Sequence, residues 1–350
     1  MTEPEVRLGV VGLGLAGRMT LDALAGDDRV VVVAGADPAE DSRREFSART
    51  GAVAYPDVLA LCGDPGVDAV WVATPTRLHR EHVETAVAAG KDVIVEKPMA
   101  PSVADCDAMV AAAAKAGVRL VAGGVRSLDP AFAAMREVIA SGALGRLRHV
   151  SATAYTGWLL RERSPADLDE SRGGGIVFNQ APHQVDTIRL LAGGRAVRSV
   201  LATTATWSER TPMAGHFRAE LELEDDVTAT LTYDGHGYLR STDLVTTGGP
   251  STLVLADAGL VVASGSHGAV RPAGDHLELV TDDGPRKIAI RSGDATTEAV
   301  SELVAARRSG APPPLHSGEW GRATLEVVAA LLESARTQQR VPLVQEGPMT

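Results

Sequence analysis

The chain has 350 residues, enough for two domains at the roughly 100–200 residues that one core organises. With 45% hydrophobic, 23% charged and only 3% aromatic residues it reads as globular, its cores expected to be built from Ala, Val and Leu. A formal charge of −11 argues against nonspecific nucleic-acid binding and an anionic membrane surface, both of which need a basic face, but leaves local anion binding open.

Met1 to Val6 lacks the basic start and long apolar middle of a secretory leader. No apolar run approaches the roughly 18 residues that span a bilayer. Cys62 and Cys106 stand at no metal or redox spacing, so a cytoplasmic location is expected. From Val6 to about Gly124, short apolar runs alternate with helical stretches: Val6–Val11, Val30–Ala36, Ala69–Ala73, Val93–Val95 and Val118–Ala122. Runs of this kind suit parallel strands buried on both faces. The helices between them include Ala16–Ala25, Leu78–Ala89 and Ser102–Ala116, the last opening on a capping serine and closing at Gly117. Residues 1–124 are therefore expected to form a doubly wound α/β (Rossmann) domain.

The pattern changes after Gly124. A helix near Pro130–Ser141 precedes a strand over Leu147–Tyr155, and strand-like runs dominate from Val197 to Ile290. Turn residues separate these runs at Glu224–Asp226, Gly248–Pro250 and Asp282–Pro285. Two helices, about Thr296–Ser309 and Gly318–Thr337, flank a proline connector. Residues 125–350 are thus expected to form an α+β domain with a large, mostly antiparallel sheet. The last helix is expected to pack back toward the first domain.

Gly12-Leu13-Gly14-Leu15-Ala16-Gly17 directly follows the first strand and opens a helix. In that position Gly12 permits the turn, Gly14 lets backbone approach a pyrophosphate, and Gly17 lets the helix pack closely. The helix N-terminus offers N–H groups to the phosphates. The plainer alternative is a glycine turn with no ligand. Asp37 lies at the end of the second strand, about 20 residues on, where a carboxylate binds the adenosine ribose and disfavours a 2′-phosphate. The expected cofactor is therefore NAD rather than NADP, although Arg43 or Arg44 could swing back toward such a phosphate instead of lying on a solvated face.

Val93–Pro98 places Glu96 and Lys97 at the C-terminal end of a strand, where ligands of open α/β sheets bind. Glu96 could equally serve only to pair with the lysine. Further on, Gly173–Gly175 leads into Asn179 and His183, one helical turn apart on one face, with Asp186 a turn beyond. His79 and His82 share a helix face without acidic or cysteine partners, so no metal site is expected. No Ser or Cys nucleophile is visibly set beside a base.

These residues together resemble the Gfo/Idh/MocA family, the glucose–fructose oxidoreductase and inositol dehydrogenase group. The resemblance runs through Gly12–Gly17, Thr74-Pro75 with His79, Glu96-Lys97-Pro98, Ser141–Gly145 and the helix bearing His183. It implies a nicotinamide-dependent oxidoreductase with Lys97 and His183 beside the reacting carbon and Asp186 in support. It also implies cofactor contacts from Gly12, Leu13, Gly14, Gly17, Asp37, Thr74, Pro75, His79, Glu96 and Lys97. Asn179 departs from the aspartate common in the family; it can orient a hydroxyl but not take its proton. Tyr155–Leu160, Asn179–Asp186 and Leu315–Gly321 are similar to the phthalate 4,5-cis-dihydrodiol dehydrogenase branch. Arg126, Arg161, Arg163 and Arg172 could hold a substrate carboxylate, and Trp158 belongs to the same expected substrate site with Asn179, His183 and Asp186. The reading is an enzyme acting on a secondary alcohol of a cyclic polyol, sugar or dihydrodiol, as a homodimer or homotetramer. The alternatives are a non-catalytic NAD-binding sensor, which retention of Lys97 and His183 opposes, and a reductase of a double bond.

Overall fold

The Val- and Ala-rich runs of the first part become strands because β-branched residues pack well on a pleated surface and leave no polar group to solvate. In chain order these elements are β1 (Val6–Val11), α1 (Leu15–Ala23), β2 (Val30–Ala36), α2 (Glu40–Thr50), β3 (Val53–Tyr55) and α3 (Val58–Cys62). They continue with β4 (Ala69–Val72), α4 (His79–Ala88), β5 (Asp92–Val95), α5 (Val103–Ala116) and β6 (Leu120–Ala122). The computed structural model describes residues 5–160, 162–163, 165–169, 174–206, 214–236, 238–240, 253–255, 258–313 and 315–344. The six strands form one parallel sheet in the order β3-β2-β1-β4-β5-β6. The strand order reverses between β1 and β4, and the crevice outside their carboxyl ends is where such sheets bind ligands. Every residue of β4 and β5 is buried. Ser102 caps α5 by accepting the Asp105 N–H, and Gly117 ends that helix in the left-handed region at φ 68°. Cys62 and Cys106 are buried thiols whose pKa values burial pushes up to about 11 and about 12, which keeps them unreactive.

Then follow α6 (Pro130–Ala140), β7 (Leu147–Tyr155), the single turn α7 (Pro165–Leu168), α8 (Ile176–Leu191), β8 (Val197–Ala205), β9 (His216–Leu223) and β10 (Thr228–Asp234). Two short strands, β11 (Tyr238–Arg240) and β12 (Leu253–Leu255), pair with each other. The meander β13 (Ala258–Gly265), β14 (Gly268–Ala273), β15 (His276–Thr281) and β16 (Gly284–Ala289) leads to α9 (Ala295–Ser309), α10 (Gly318–Thr337) and β17 (Val341–Pro342). Nine of these strands form a sheet in the order β16-β15-β14-β13-β7-β10-β9-β8-β17, in which β7 and β10 run parallel and the other pairs antiparallel. Helix α8 lies against β7 and β10, and α6 against β14 and β15. The Gln184 amide of α8 donates to the carbonyls of Ala152 (2.9 Å) and Thr232 (2.8 Å), one on each parallel strand. The turn residues Gly248–Pro250 lie outside the described residues. No helix among the described residues is long and apolar enough to cross a membrane.

The two compact units divide the chain unevenly. One comprises Met1–Asp129 with Gly293–Leu325, the other Pro130–Ser292 with Glu326–Thr350. The first compact unit thus runs to Asp129 and takes in α9 as well. Its Ala299, Val300, Leu303 and Val304 share one core with Val6, Leu8, Val10 and Trp71. Asp294 caps it with a reciprocal hydrogen-bond pair to Thr297. On its far turn Arg307 donates to the Asp92 carboxylate at 2.6 Å, which also takes the Arg119 N–H at 2.8 Å. The side chain of Asp92 is only 4% exposed, so its charge depends on those donors. Replacing Arg307 by Met should lower the stability of this unit by about 2 kcal/mol, the scale of a hydrogen bond to a buried charge. A thermal melt matching the parent would show that α9 docks through its apolar face alone.

Candidate functional site

The glycine turn is built by three different needs. Gly12 has φ +91°, and a Cβ there would lie 2.7 Å from the Ala73 carbonyl oxygen. A Cβ on Gly17 would lie 2.0 Å from the Gly12 carbonyl oxygen, so α1 can approach its own entry turn only without a side chain there. Gly14 is different: its φ of −74° suits any residue, and a Cβ would meet nothing within 4 Å among the described residues. No steric contact among the described residues requires glycine at 14. A bare backbone at the uncapped N-terminus of α1 is what a pyrophosphate needs, and the residues present fit a dinucleotide.

Asp37, immediately after β2, ties this turn in place. Its Oδ2 accepts the Leu13 N–H at 2.9 Å and its Oδ1 the Ala39 N–H at 2.8 Å. Each oxygen keeps a further lone pair for a ribose hydroxyl. The two neighbouring arginines part ways. Arg43 folds back, donating to the carbonyls of Asp37 (2.7 Å) and Pro38 (2.9 Å), whereas Arg44 pairs with Asp41 and Glu40 on the solvated face of α2.

Thr74 and Pro75 follow β4 at the same edge of the sheet. His79, expected among the cofactor contacts, is 1% exposed. Its Nε2 faces the Thr74 carbonyl at 2.7 Å and its Nδ1 the carbonyls of Pro98 (3.0 Å) and Met99 (3.2 Å). The ring fills the space between the loop after β4 and the loop after β5; burial holds its pKa below the usual histidine range, and a neutral ring, with one N–H, donates to only one of those two loops. His82 adds a contact from Nδ1 to the Thr74 hydroxyl at 3.0 Å. Lys97 precedes a cis peptide to Pro98 on that second loop. Beside it, Glu96 accepts the Trp71 indole N–H at 3.2 Å, and a Cβ on Gly124 would strike its Oε2 at 1.9 Å. Burial raises the Glu96 pKa against the opposing charge of Lys97 and the indole bond. Glu96 is thus wedged between β4 and the loop after β6, with Lys97 beside it.

Arg126 is exposed on the turn after β6. Next to it lies an arrangement invisible in the sequence: the Ser127 hydroxyl meets His316 Nε2 at 3.0 Å, and His316 Nδ1 meets Glu302 Oε1 at 3.3 Å. A hydroxyl, imidazole and carboxylate in series could serve nucleophilic chemistry. Ser127 is 1% and His316 2% exposed, however, so the chain locks a turn and admits no substrate.

In the second unit, α8 is buried along its whole length except at Asn179, Gln180 and His183. Those three, at i, i+1 and i+4, form one polar corner of an otherwise enclosed helix. The Asn179 amide donates to the Gly175 carbonyl at 3.0 Å, which fixes its rotamer. Gln180 was not among the expected residues, though its adjacency to Asn179 on a helix could have signalled it. Asp186, expected at the substrate, is instead 1% exposed. Its charge and that of Glu326 support buried Arg189, whose pKa burial lowers to about 10. Trp158 is 7% exposed, and Arg163 stacks 4.4 Å over its ring while donating to its carbonyl at 2.9 Å. Arg161, Arg172 and Gly173 lie outside the described residues. No cluster of three or more metal-ligating side chains occurs among the described residues.

The glycine geometry separates ligand from packing. Gly14→Ala should keep stability within about 0.5 kcal/mol yet weaken dinucleotide binding about tenfold or more. Gly17→Ala should destabilise the first unit by about 1–3 kcal/mol. Equal loss of stability in both variants, read by thermal melts, would mean that Gly14 serves packing.

Residues 6–124 match the oxidoreductase family with an NAD-binding Rossmann fold, and residues 132–262 match the GFO/IDH/MocA C-terminal domain. The chain is 33% identical to a 1-carboxy-3-chloro-3,4-dihydroxycyclo hexa-1,5-diene dehydrogenase of Comamonas testosteroni, over 95% of this chain and 96% of that one. It is 32% identical to inositol 2-dehydrogenase 1 of Saccharopolyspora erythraea, over 75% and 78% of the two chains. Among solved structures, a candidate dehydrogenase from Bordetella bronchiseptica RB50 superposes with a TM-score of 0.89 at 30% identity, covering 97% of this chain and 100% of that one. Both halves of the chain, and its relatives over nearly its full length, agree: this protein belongs to the Gfo/Idh/MocA family of NAD-binding oxidoreductases.

Proposed function

We propose that the protein is an NAD-dependent dehydrogenase of a ring-borne secondary alcohol in a cyclic polyol or dihydrodiol, with His183 as proton acceptor. The observation that carries this reading is the polar corner of α8: an otherwise buried helix presents Asn179, Gln180 and His183 and nothing else. Two relatives act, by name, on a dihydroxylated cyclohexadiene and on inositol, both six-membered rings with hydroxyl groups.

Bound NAD supplies the hydride acceptor; the chain supplies everything that happens to the proton. His183 takes the hydroxyl proton, a role that suits an imidazole at neutral pH. The Lys97 ammonium stabilises the developing alkoxide. Asn179, held by its bond to the Gly175 carbonyl, orients the hydroxyl without accepting its proton. Glu96, His79 and Trp71 act through the loops that set the position of Lys97. The Asp37 carboxylate favours ribose hydroxyls over a 2′-phosphate, and with both oxygens already holding backbone it cannot turn away. A cytoplasmic homodimer or homotetramer belongs to the same proposal, and sedimentation at micromolar concentration tests the assembly.

Cyclic polyols and dihydrodiols incubated with NAD should yield reduced cofactor by absorbance. Lys97→Ala and His183→Ala should each lower turnover about 100-fold or more while leaving NAD affinity nearly unchanged. Full turnover in both would remove the pair from the mechanism.

NAD should bind more tightly than NADP. Asp37→Ser should narrow the difference and weaken NAD itself, because Leu13 loses its anchor. Tighter NADP binding by the parent would transfer recognition of the cofactor to Arg43.

Asn179→Asp cannot donate to the Gly175 carbonyl, so the carboxylate turns outward, one helical turn from His183. An opposite charge within about 4–6 Å favours the imidazolium, so the acidic limb of the pH–rate profile should move to higher pH. A limb that stays in place, with the fold intact, would pass the base role to Lys97.

A further inference from the structure

Two histidines of α4, one turn apart on one face, meet the same threonine from different sides. His79 Nε2 lies 2.7 Å from the Thr74 carbonyl oxygen, and His82 Nδ1 lies 3.0 Å from the Thr74 hydroxyl. The methyl group of that residue is placed as well, since a Cβ on Gly12 would lie 2.8 Å from Thr74 Cγ2. Carbonyl, hydroxyl and methyl are thus each met by a separate partner. Threonine is stiff at χ1, and these contacts select one rotamer.

That rotamer stands at the crevice of the parallel sheet. Gly12 follows β1 and Thr74 follows β4, the two strands between which the order reverses, and open α/β sheets bind their ligands there. Ala73 is buried, Thr74 half-buried and Pro75 exposed, so the loop leaves the core at the threonine. His82 is half-buried too, and burial lowers its pKa below the usual histidine range against the opposing charge of Glu81. At neutral pH the ring is therefore uncharged and carries a single N–H. A bare Nδ1 would accept the Thr74 proton. As Nδ1–H it donates to Thr74 Oγ1 instead, and the threonine keeps its own proton for a second acceptor.

We propose that His82 is a positioning residue for the dinucleotide: its Nδ1–H holds Thr74 so that the threonine hydroxyl donates to an oxygen of the cofactor's phosphate–ribose backbone. The proposal rests on dinucleotide binding at the glycine turn. Phosphate and ribose oxygens both accept hydrogen bonds, and the turn that would take the pyrophosphate is the one Thr74 Cγ2 packs against. A hydroxyl aligned in advance binds more tightly than one the ligand must order, because less side-chain freedom is lost on binding.

Calorimetric titration of the whole chain with NAD and with ADP-ribose, which lacks only the nicotinamide, reads the effect without turnover. Thr74→Val keeps the shape, removes the donor and should weaken both ligands about tenfold, the scale of a hydrogen bond to a charged group. His82→Leu should weaken both about fivefold. The double variant should bind no more weakly than Thr74→Val alone, because the histidine acts only through the hydroxyl. His82→Asn sets an amide N–H where Nδ1–H stood and should recover most of the affinity, with thermal melts confirming that each variant is folded. In nitrogen NMR spectra, the ring signal that His82→Leu removes should report a protonated Nδ1 in the NAD complex. Parent affinity in His82→Leu, additive losses in the double variant, a loss for NAD without one for ADP-ribose, or a bare Nδ1 in the complex overturns the proposal and leaves the cofactor reading standing. A parent that binds neither ligand overturns the cofactor reading, and this role of His82 with it.

Discussion

The approach of α1 to the turn that precedes it sets the terms for the whole first unit. Because Gly17 carries no side chain, the first turn of that helix closes onto the Gly12 carbonyl, and its free N–H groups open at the point where the strand order reverses. The same turn is held from below by Asp37, which takes the Leu13 N–H and so couples the end of β2 to the end of β1. On the proposed reading, cofactor phosphates and ribose would be addressed by this one piece of backbone. Around it, the buried His79 ring lies between the loop after β4 and the loop after β5, and Glu96 sits between Trp71 and Gly124. Lys97 therefore stands on a loop whose neighbours are already committed to each other.

The second unit follows a related logic with a helix instead of a turn. Gln184 reaches two adjacent parallel strands, the charges of Asp186 and Glu326 act against the desolvation of buried Arg189, and apolar residues fill most of the rest of α8. What remains is a corner of three polar side chains whose positions the buried part of the helix dictates. A helix so enclosed has few ways to move, which is the condition a catalytic hydrogen bond needs. The residues that look secondary in the chemistry are thus those that give it precision.

Much of this was legible in the amino-acid order because the signals are local. Strand β7 and helix α10 begin and end where periodicity and turn residues place them, and Ser102 and Gly117 bound α5 through ordinary capping chemistry. The glycine turn could be read because each glycine answers a separate steric need. Other features depend on contacts far apart in sequence, which no spacing encodes. The return of α9 to the first unit rests on Arg307 meeting Asp92, and the Ser127–His316–Glu302 chain joins three distant segments. Strand β3 has only three residues and is too short to show a period. Asp186 and His79 carry polar side chains that suggest a site, yet burial commits both to internal partners. Gly14 is the instructive contrast, since among the described residues nothing within 4 Å would meet a Cβ there, as the proposed dinucleotide contact requires.

The central claim is that a ring carbon bearing a hydroxyl gives its hydrogen to bound nicotinamide. The most direct measurement uses a cyclic polyol deuterated at that carbon, incubated with NAD and the enzyme, with the reduced cofactor examined by mass spectrometry. The account predicts reduced NAD carrying one deuterium, placed on a single face of the nicotinamide ring. Reduced cofactor without deuterium, or deuterated substrate returned unchanged across the panel of cyclic alcohols, would contradict it.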